Sequence, residues 1–96
     1  MIGNIRVDEI YCSAVEIINM LEPQNYYNSC GLDYYNDTEL LKDYGCILNV
    51  VRDGDFISIN VVQNNVILNS ISRVELSRNA IFNAIISVLQ NCNGVW

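Results

Sequence analysis

The sequence predicts a two-layer α+β domain: an N-terminal helix, a Tyr-rich segment with a short helix, a three-stranded antiparallel meander and a C-terminal helix. Three observations carry this expectation. Apolar residues recur at helical spacing near both ends of the chain. Between them, residues 46–71 alternate apolar and polar around an Asp-Gly dipeptide. The single proline, Pro23, falls just after the first apolar stripe, where a helix should stop.

In the first helix Ile10, Ala14, Ile17, Ile18 and Leu21 form the stripe. Asp8 is the expected N-cap, with an earlier start at Asn4 as the alternative. The helix should end at Leu21 or Glu22, ahead of Pro23. Residues 23–45 are richer in Tyr and Asn. Tyr26-Tyr27-Asn28 is echoed by Tyr34-Tyr35-Asn36. A short helix is expected after Asn36 or Asp37 as cap, closed by Gly45.

Cys46–Val51, Asp55–Val62 and Val66–Ile71 read as the three strands. Asp53-Gly54 suits a type I′ turn, because both residues tolerate positive φ. That turn sets Arg52 opposite Asp55, Val50 opposite Ile57, Leu48 opposite Ile59 and Cys46 opposite Val61. The three last pairs place six apolar residues on one face. Asn64-Asn65 is the expected second turn, after which Val66 and Leu68 join the core face. The opposite face would carry Ile47, Asn49, Val51, Phe56, Ser58, Asn60, Val62, Ile67, Asn69 and Ile71. It alternates apolar and neutral polar residues, with no charge in mid-sheet.

Ser72-Arg73-Val74-Glu75 reads as a capping box opening the last helix. Its inward stripe would be Val74, Ile81, Ala84, Ile85, Val88, Leu89 and Cys92. Gly94 and Val95 would close it. Two helices on one face of the sheet complete a single domain spanning residues 1–96.

Composition narrows the function classes. Half the residues (51%) are hydrophobic, which excludes a disordered chain. No apolar run approaches the ~20 residues of a membrane span. No secretory signal pattern opens the sequence, so a cytoplasmic location is expected. Eleven acids face five bases, lysine occurs once, and asparagine supplies the neutral polar surface. The resulting negative field repels phosphate backbones, so direct nucleic-acid binding is not expected. A protein with a basic surface, such as a nuclease or effector complex, is the expected partner.

The usual catalytic sets are missing. There is no histidine, hence no Ser-His-Asp triad and no Cys-His pair. The glycines are dispersed rather than gathered in a phosphate loop. Cys12, Cys30, Cys46 and Cys92 contain no Cys-x-x-Cys pair and read as reduced thiols. Asp33, Asp37 and Glu39 do not follow the spacing of a calcium loop. The chain is expected to be no enzyme and to hold no metal or cofactor. An anionic small molecule would have to rely on Arg6, Arg52, Arg73 and Arg78.

The expected partner-binding residues are Tyr26, Tyr27, Asp33, Tyr34, Tyr35, Asp37, Glu39 and Asp43. Tyrosine offers broad contact area at low entropic cost, and carboxylates between tyrosines can meet Arg and Lys. One tyrosine of each pair is expected to face inward. The alternative is a homo-oligomer, a dimer for instance, joined through Ile47, Phe56, Ile67 and Ile71 on the open sheet face. In size, acidity and helix–meander–helix order the chain resembles small phage-encoded anti-defence proteins such as anti-CRISPRs. It is similar in the same features to immunity proteins that neutralise nuclease toxins. That resemblance implies a protein inhibitor and carries no residue roles.

Overall fold

The computed structural model describes residues 5–21 and 33–90. Two helices and a four-stranded antiparallel sheet make an α+β fold. Helix α1 spans Val7–Leu21 and α2 spans Arg78–Gln90. The strands are β1 (Tyr34–Asp37), β2 (Ile47–Asp53), β3 (Phe56–Gln63) and β4 (Val66–Glu75), in that spatial order. Both helices lie on one face, and the core forms between them and the sheet. Among the described residues no helix is long and apolar enough to cross a membrane.

The predicted stripe of α1 is buried at all five positions, Ile10, Ala14, Ile17, Ile18 and Leu21. The helix starts one residue before Asp8. Ile10 N–H donates to the Arg6 carbonyl (3.2 Å), so Arg6 occupies the cap position. Asp8 sits in the first turn, where its charge favours the dipole, and pairs with Arg6 at 2.8 Å. The other end of α1 carries no basic residue of its own. Arg52 of β2 supplies one: its guanidinium donates to the Leu21 carbonyl at 2.6 Å and to the Gly54 carbonyl at 3.0 Å.

The sheet has four strands, not three. Tyr34–Asp37 of the Tyr-rich segment pairs with β2, and the short helix expected between Asn36 or Asp37 and Gly45 does not form. Only a 3-10 turn, Lys42–Tyr44, forms in that stretch, closed by Gly45 at φ +69°. Tyr-Tyr suits a strand, and pairing satisfies an otherwise open edge of β2.

The β2–β3 register is two residues from the expected one. Val50 faces Ile59, Leu48 faces Val61 and Arg52 faces Ile57. A shift of two keeps every side chain on its face, so the apolar set still meets the core. The loop is Gly54-Asp55, flanked by Asp53 and Phe56, and only Gly54 has positive φ (+65°). Glycine at the first loop position is the type II′ pattern rather than type I′. The second turn is Asn64-Asn65 as expected, with φ +51° and +65°.

Strand β4 runs to Glu75, past the predicted capping box. Val74 faces Ile57 and Glu75 faces Phe56. Val74 is buried, but within the sheet instead of on α2. Two paired residues of ladder, Val74 and Glu75, outweigh one local cap. The helix is capped by Ser77, whose hydroxyl accepts from Ala80 N–H at 3.2 Å. Ile81, Ala84, Ile85, Val88 and Leu89 are buried as predicted. Cys92, Gly94 and Val95 lie outside the described residues.

Two bulges interrupt β4. One inserts Leu68 between the Val62–Ile67 and Val61–Asn69 pairs. It flips the strand, so Asn69 and Ile71 turn to the core side, opposite to expectation. Ile71 packs against the core, and Asn69 donates to the Val88 carbonyl of α2 at 3.0 Å. Leu68 packs against the core as expected, whereas Val66 is exposed at the turn. The second bulge lies between Ile57 and Ile59 and contains Arg73 at φ +57°. A side chain there costs ~1–2 kcal/mol that glycine avoids. Arg73→Gly should therefore raise the unfolding free energy by about 1 kcal/mol, net of the entropy glycine adds to the unfolded chain. Urea denaturation measures this, and a loss of stability would show that Arg73 is held by contacts instead.

Candidate functional site

With the helices on one side, the other face of the sheet is left uncovered by the described residues. Pairing assembles it into cross-strand rows. Tyr34, Val51 and Ser58 form one row. Asn36, Asn49, Asn60 and Ser70 form the next, and Ile47, Val62 and Ile67 the third. No Asp, Glu, Lys or Arg is among them. Tyr34 is 63% exposed and Ile67 60%, so the two ends of the face stand well out into solvent.

The middle row is joined by its own side chains. Asn60 Nδ2 donates to Asn49 Oδ1 at 3.0 Å, and Asn49 Nδ2 donates to Asn36 Oδ1 at 2.7 Å. This ladder holds three amides in one line and fixes which way each points.

Charge is displaced to the margins. Asp33, Asp53, Asp55 and Glu75 lie at the end of the sheet that carries the Gly54 turn. A hollow of about 340 Å³ opens there between Asp53, Phe56, Ser58, Ser72 and Arg73. At the other end Glu9, Glu39, Lys42 and Asp43 line a second hollow. Glu39 meets Lys42 at 3.3 Å, an exposed pair of little energetic weight. Among the described residues no three His, Cys, Asp or Glu side chains stand where they could share a metal ion.

The expected partner-binding residues separate into three groups. Tyr26 and Tyr27 lie outside the described residues. Asp33, Tyr34, Glu39 and Asp43 are exposed, the first two at one end of β1 and the last two beyond the other. Tyr35 and Asp37 point to the core side, so they leave the expected surface. The inward–outward division of a tyrosine pair thus holds for Tyr34 and Tyr35.

Asp37 is 5% exposed and spends its carboxylate inside. One oxygen accepts from the buried Ser13 hydroxyl of α1. The other accepts from the N–H groups of Glu39 (3.0 Å) and Leu40 (3.1 Å), which begins the turn after β1. Asp37 was one of two expected caps of a short helix; no helix begins there, and its carboxylate closes a turn instead. Tyr35 donates to Glu16 of α1. Burial first, then that bond and the nearby charges of Glu16 and Asp37, raise the Tyr35 phenol above its ordinary value.

Of the open-face set, Ile47, Phe56 and Ile67 are exposed as expected, and Ile71 is not part of it. Sequence reasoning missed the amide ladder, although it placed Asn49 and Asn60 on the same open face, because Asn36 was not expected in a strand. A register two residues off placed Asn49 opposite Ser58. Ser13 and Arg52 gave no sequence signal, because their partners are 24 and 31 residues away.

Compared with known proteins, the chain matches no family model, no curated protein and no solved structure.

Two outcomes follow from the buried groups. Asp37→Ala leaves the Ser13 hydroxyl and two N–H groups without their acceptor, and should cost about 2–3 kcal/mol by urea denaturation. The Tyr35 phenol is protonated more firmly in the folded chain than in the unfolded one. Its stabilising contribution is complete below the unfolded value of about 10 and is lost as pH rises beyond it. Stability should fall above that pH, and Tyr35→Phe should remove one proton's share of the slope.

Proposed function

We propose that this chain is a non-enzymatic protein-binding domain that inhibits a nucleic-acid-handling protein by occupying its basic surface. The observation that carries the reading is the uncovered sheet face: a charge-free centre bearing Tyr34 and Val51, bordered by Phe56 between Asp53 and Glu75, with Asp33 and Asp55 at the same margin. A partner with an apolar centre and a basic rim complements it. The exposed Tyr34 is the part of the expected Tyr-Asp surface that this face retains. Small phage anti-defence proteins and toxin-immunity proteins are the functional class such a domain fits.

Steering by the acidic margin makes capture salt-dependent. The tagged chain should retain a partner from host extract at low salt and release it at ~0.3 M salt. Tyr34→Ala and Phe56→Ala should each weaken retention at least about tenfold, as truncation of aromatic anchors does. Asn83→Ala, on the exposed side of α2, should leave it intact. Retention indifferent to both salt and the aromatic variants would overturn the proposal.

The exposed Ile47, Phe56 and Ile67 favour one second reading, self-assembly through the same face. It requires a wild-type oligomer by sedimentation that Phe56→Glu converts to a monomer.

A further inference from the structure

We infer that the outer edge of β1 takes up an extended segment of the partner protein as a fifth strand, with an amide or hydroxyl side chain opposite Asn36 and basic residues at its ends. The inference rests on the protein-binding reading above and names how the partner would attach.

The backbone of β1 is poised for it. Arg52 N–H donates to the Asp33 carbonyl at 2.7 Å, which makes Asp33–Arg52 a hydrogen-bonded pair. Bonded and non-bonded pairs alternate along an antiparallel ladder. Asp33, Tyr35 and Asp37 therefore turn their groups to β2, and Tyr34 and Asn36 turn theirs outward. Both N–H groups and both carbonyls at this edge are without a partner among the described residues. Strand addition satisfies such groups.

The amide ladder points the same way. Its donors run from Asn60 to Asn49 to Asn36, so its last donor, Asn36 Nδ2, stands at the β1 edge. A side-chain oxygen on an added strand would extend the row. The opposite edge is unsuited, because β4 is broken by its two bulges and keeps only Asn69–Ile71 regular between them.

Charge selects the occupant. Asp33 precedes β1, opposite Arg52, whose guanidinium is directed to the Leu21 and Gly54 carbonyls, and Glu39 and Asp43 follow it beside Lys42. Pairing two copies antiparallel about Asn36 would set Asp33 of each opposite Glu39 of the other. Like charges directly opposite destabilise a sheet, so the occupant is a basic segment and not a second copy.

The test is a titration of the isotope-labelled chain, followed by amide NMR, with the peptide Lys-Thr-Val-Asn-Val-Thr-Lys, blocked at both ends. It sets Asn opposite Asn36 and Lys opposite Asp33 and Glu39. Saturable shifts at Tyr34–Asp37 are expected, with slower hydrogen exchange at the Tyr34 and Asn36 amides. Replacing the peptide's Asn by Leu, or its Lys by Glu, should weaken binding several-fold. Asn36→Pro removes an outward N–H and spares the bonds to β2, so it should keep the fold and lose the shifts. Shifts centred on Val51, Phe56 and Ser58 with β1 unmoved would overturn the edge and leave the face reading standing. No saturable shift anywhere at about 1 mM peptide would overturn the edge as well. A wild-type dimer that Asn36→Pro dissolves would show that the edge pairs copies, against this inference.

Discussion

Asp37 is the point at which helix, sheet and loop are joined. A buried carboxylate without a cation is costly unless donors replace its water, and three donors do so here. One is on α1 and two open the turn toward β2. The bonds therefore set where β1 lies against α1 and how the chain leaves it. Tyr35, one turn of the pleat away, adds a second tie to α1 through Glu16. The position of β1 in turn decides that Tyr34 and Asn36 face outward. The exposed part of the surface is thus placed by a polar contact inside the fold.

Much of the fold could be read from periodicity because burial acts on whole stripes. The stripes Ile10 to Leu21 and Ile81 to Leu89 follow helical spacing alone, so each could be read without knowing what covers it. Parity alone put Leu48, Val50, Ile57 and Ile59 on the core side. Parity does not determine which pair is opposite which, and the two-residue difference at the Gly54 turn is the result. Nor does it foresee a bulge. Leu68 exchanged the two faces of β4 beyond it, and Asn69 found its acceptor on α2, far along the chain. Ser72–Glu75 carried a genuine capping pattern, but a strand partner on β3 competed for the same backbone and won.

The candidate surface was legible in kind more than in membership. A neutral, mixed face was visible in Asn49, Val51, Phe56 and Asn60. Its acidic end was not, because Asp33 and Glu75 are far in sequence from the Asp53-Gly54-Asp55 turn and reach it only through strand pairing. The pair Tyr34 and Tyr35 illustrates the same limit. Alternation told that one would be buried, and only the Asp37 anchor decides which.

The bond from Arg52 to the end of α1 also bears on the order in which the chain assembles. The β2–β3–β4 meander is made of near neighbours and closes its loops at small entropic cost. Helix α1 rests on contacts to β1, to Arg52 and to α2, all later in the chain. During synthesis its apolar stripe emerges first and must wait for nearly the whole domain before it is covered. The apolar stripe of α1 is therefore covered in full only once α2 has been made.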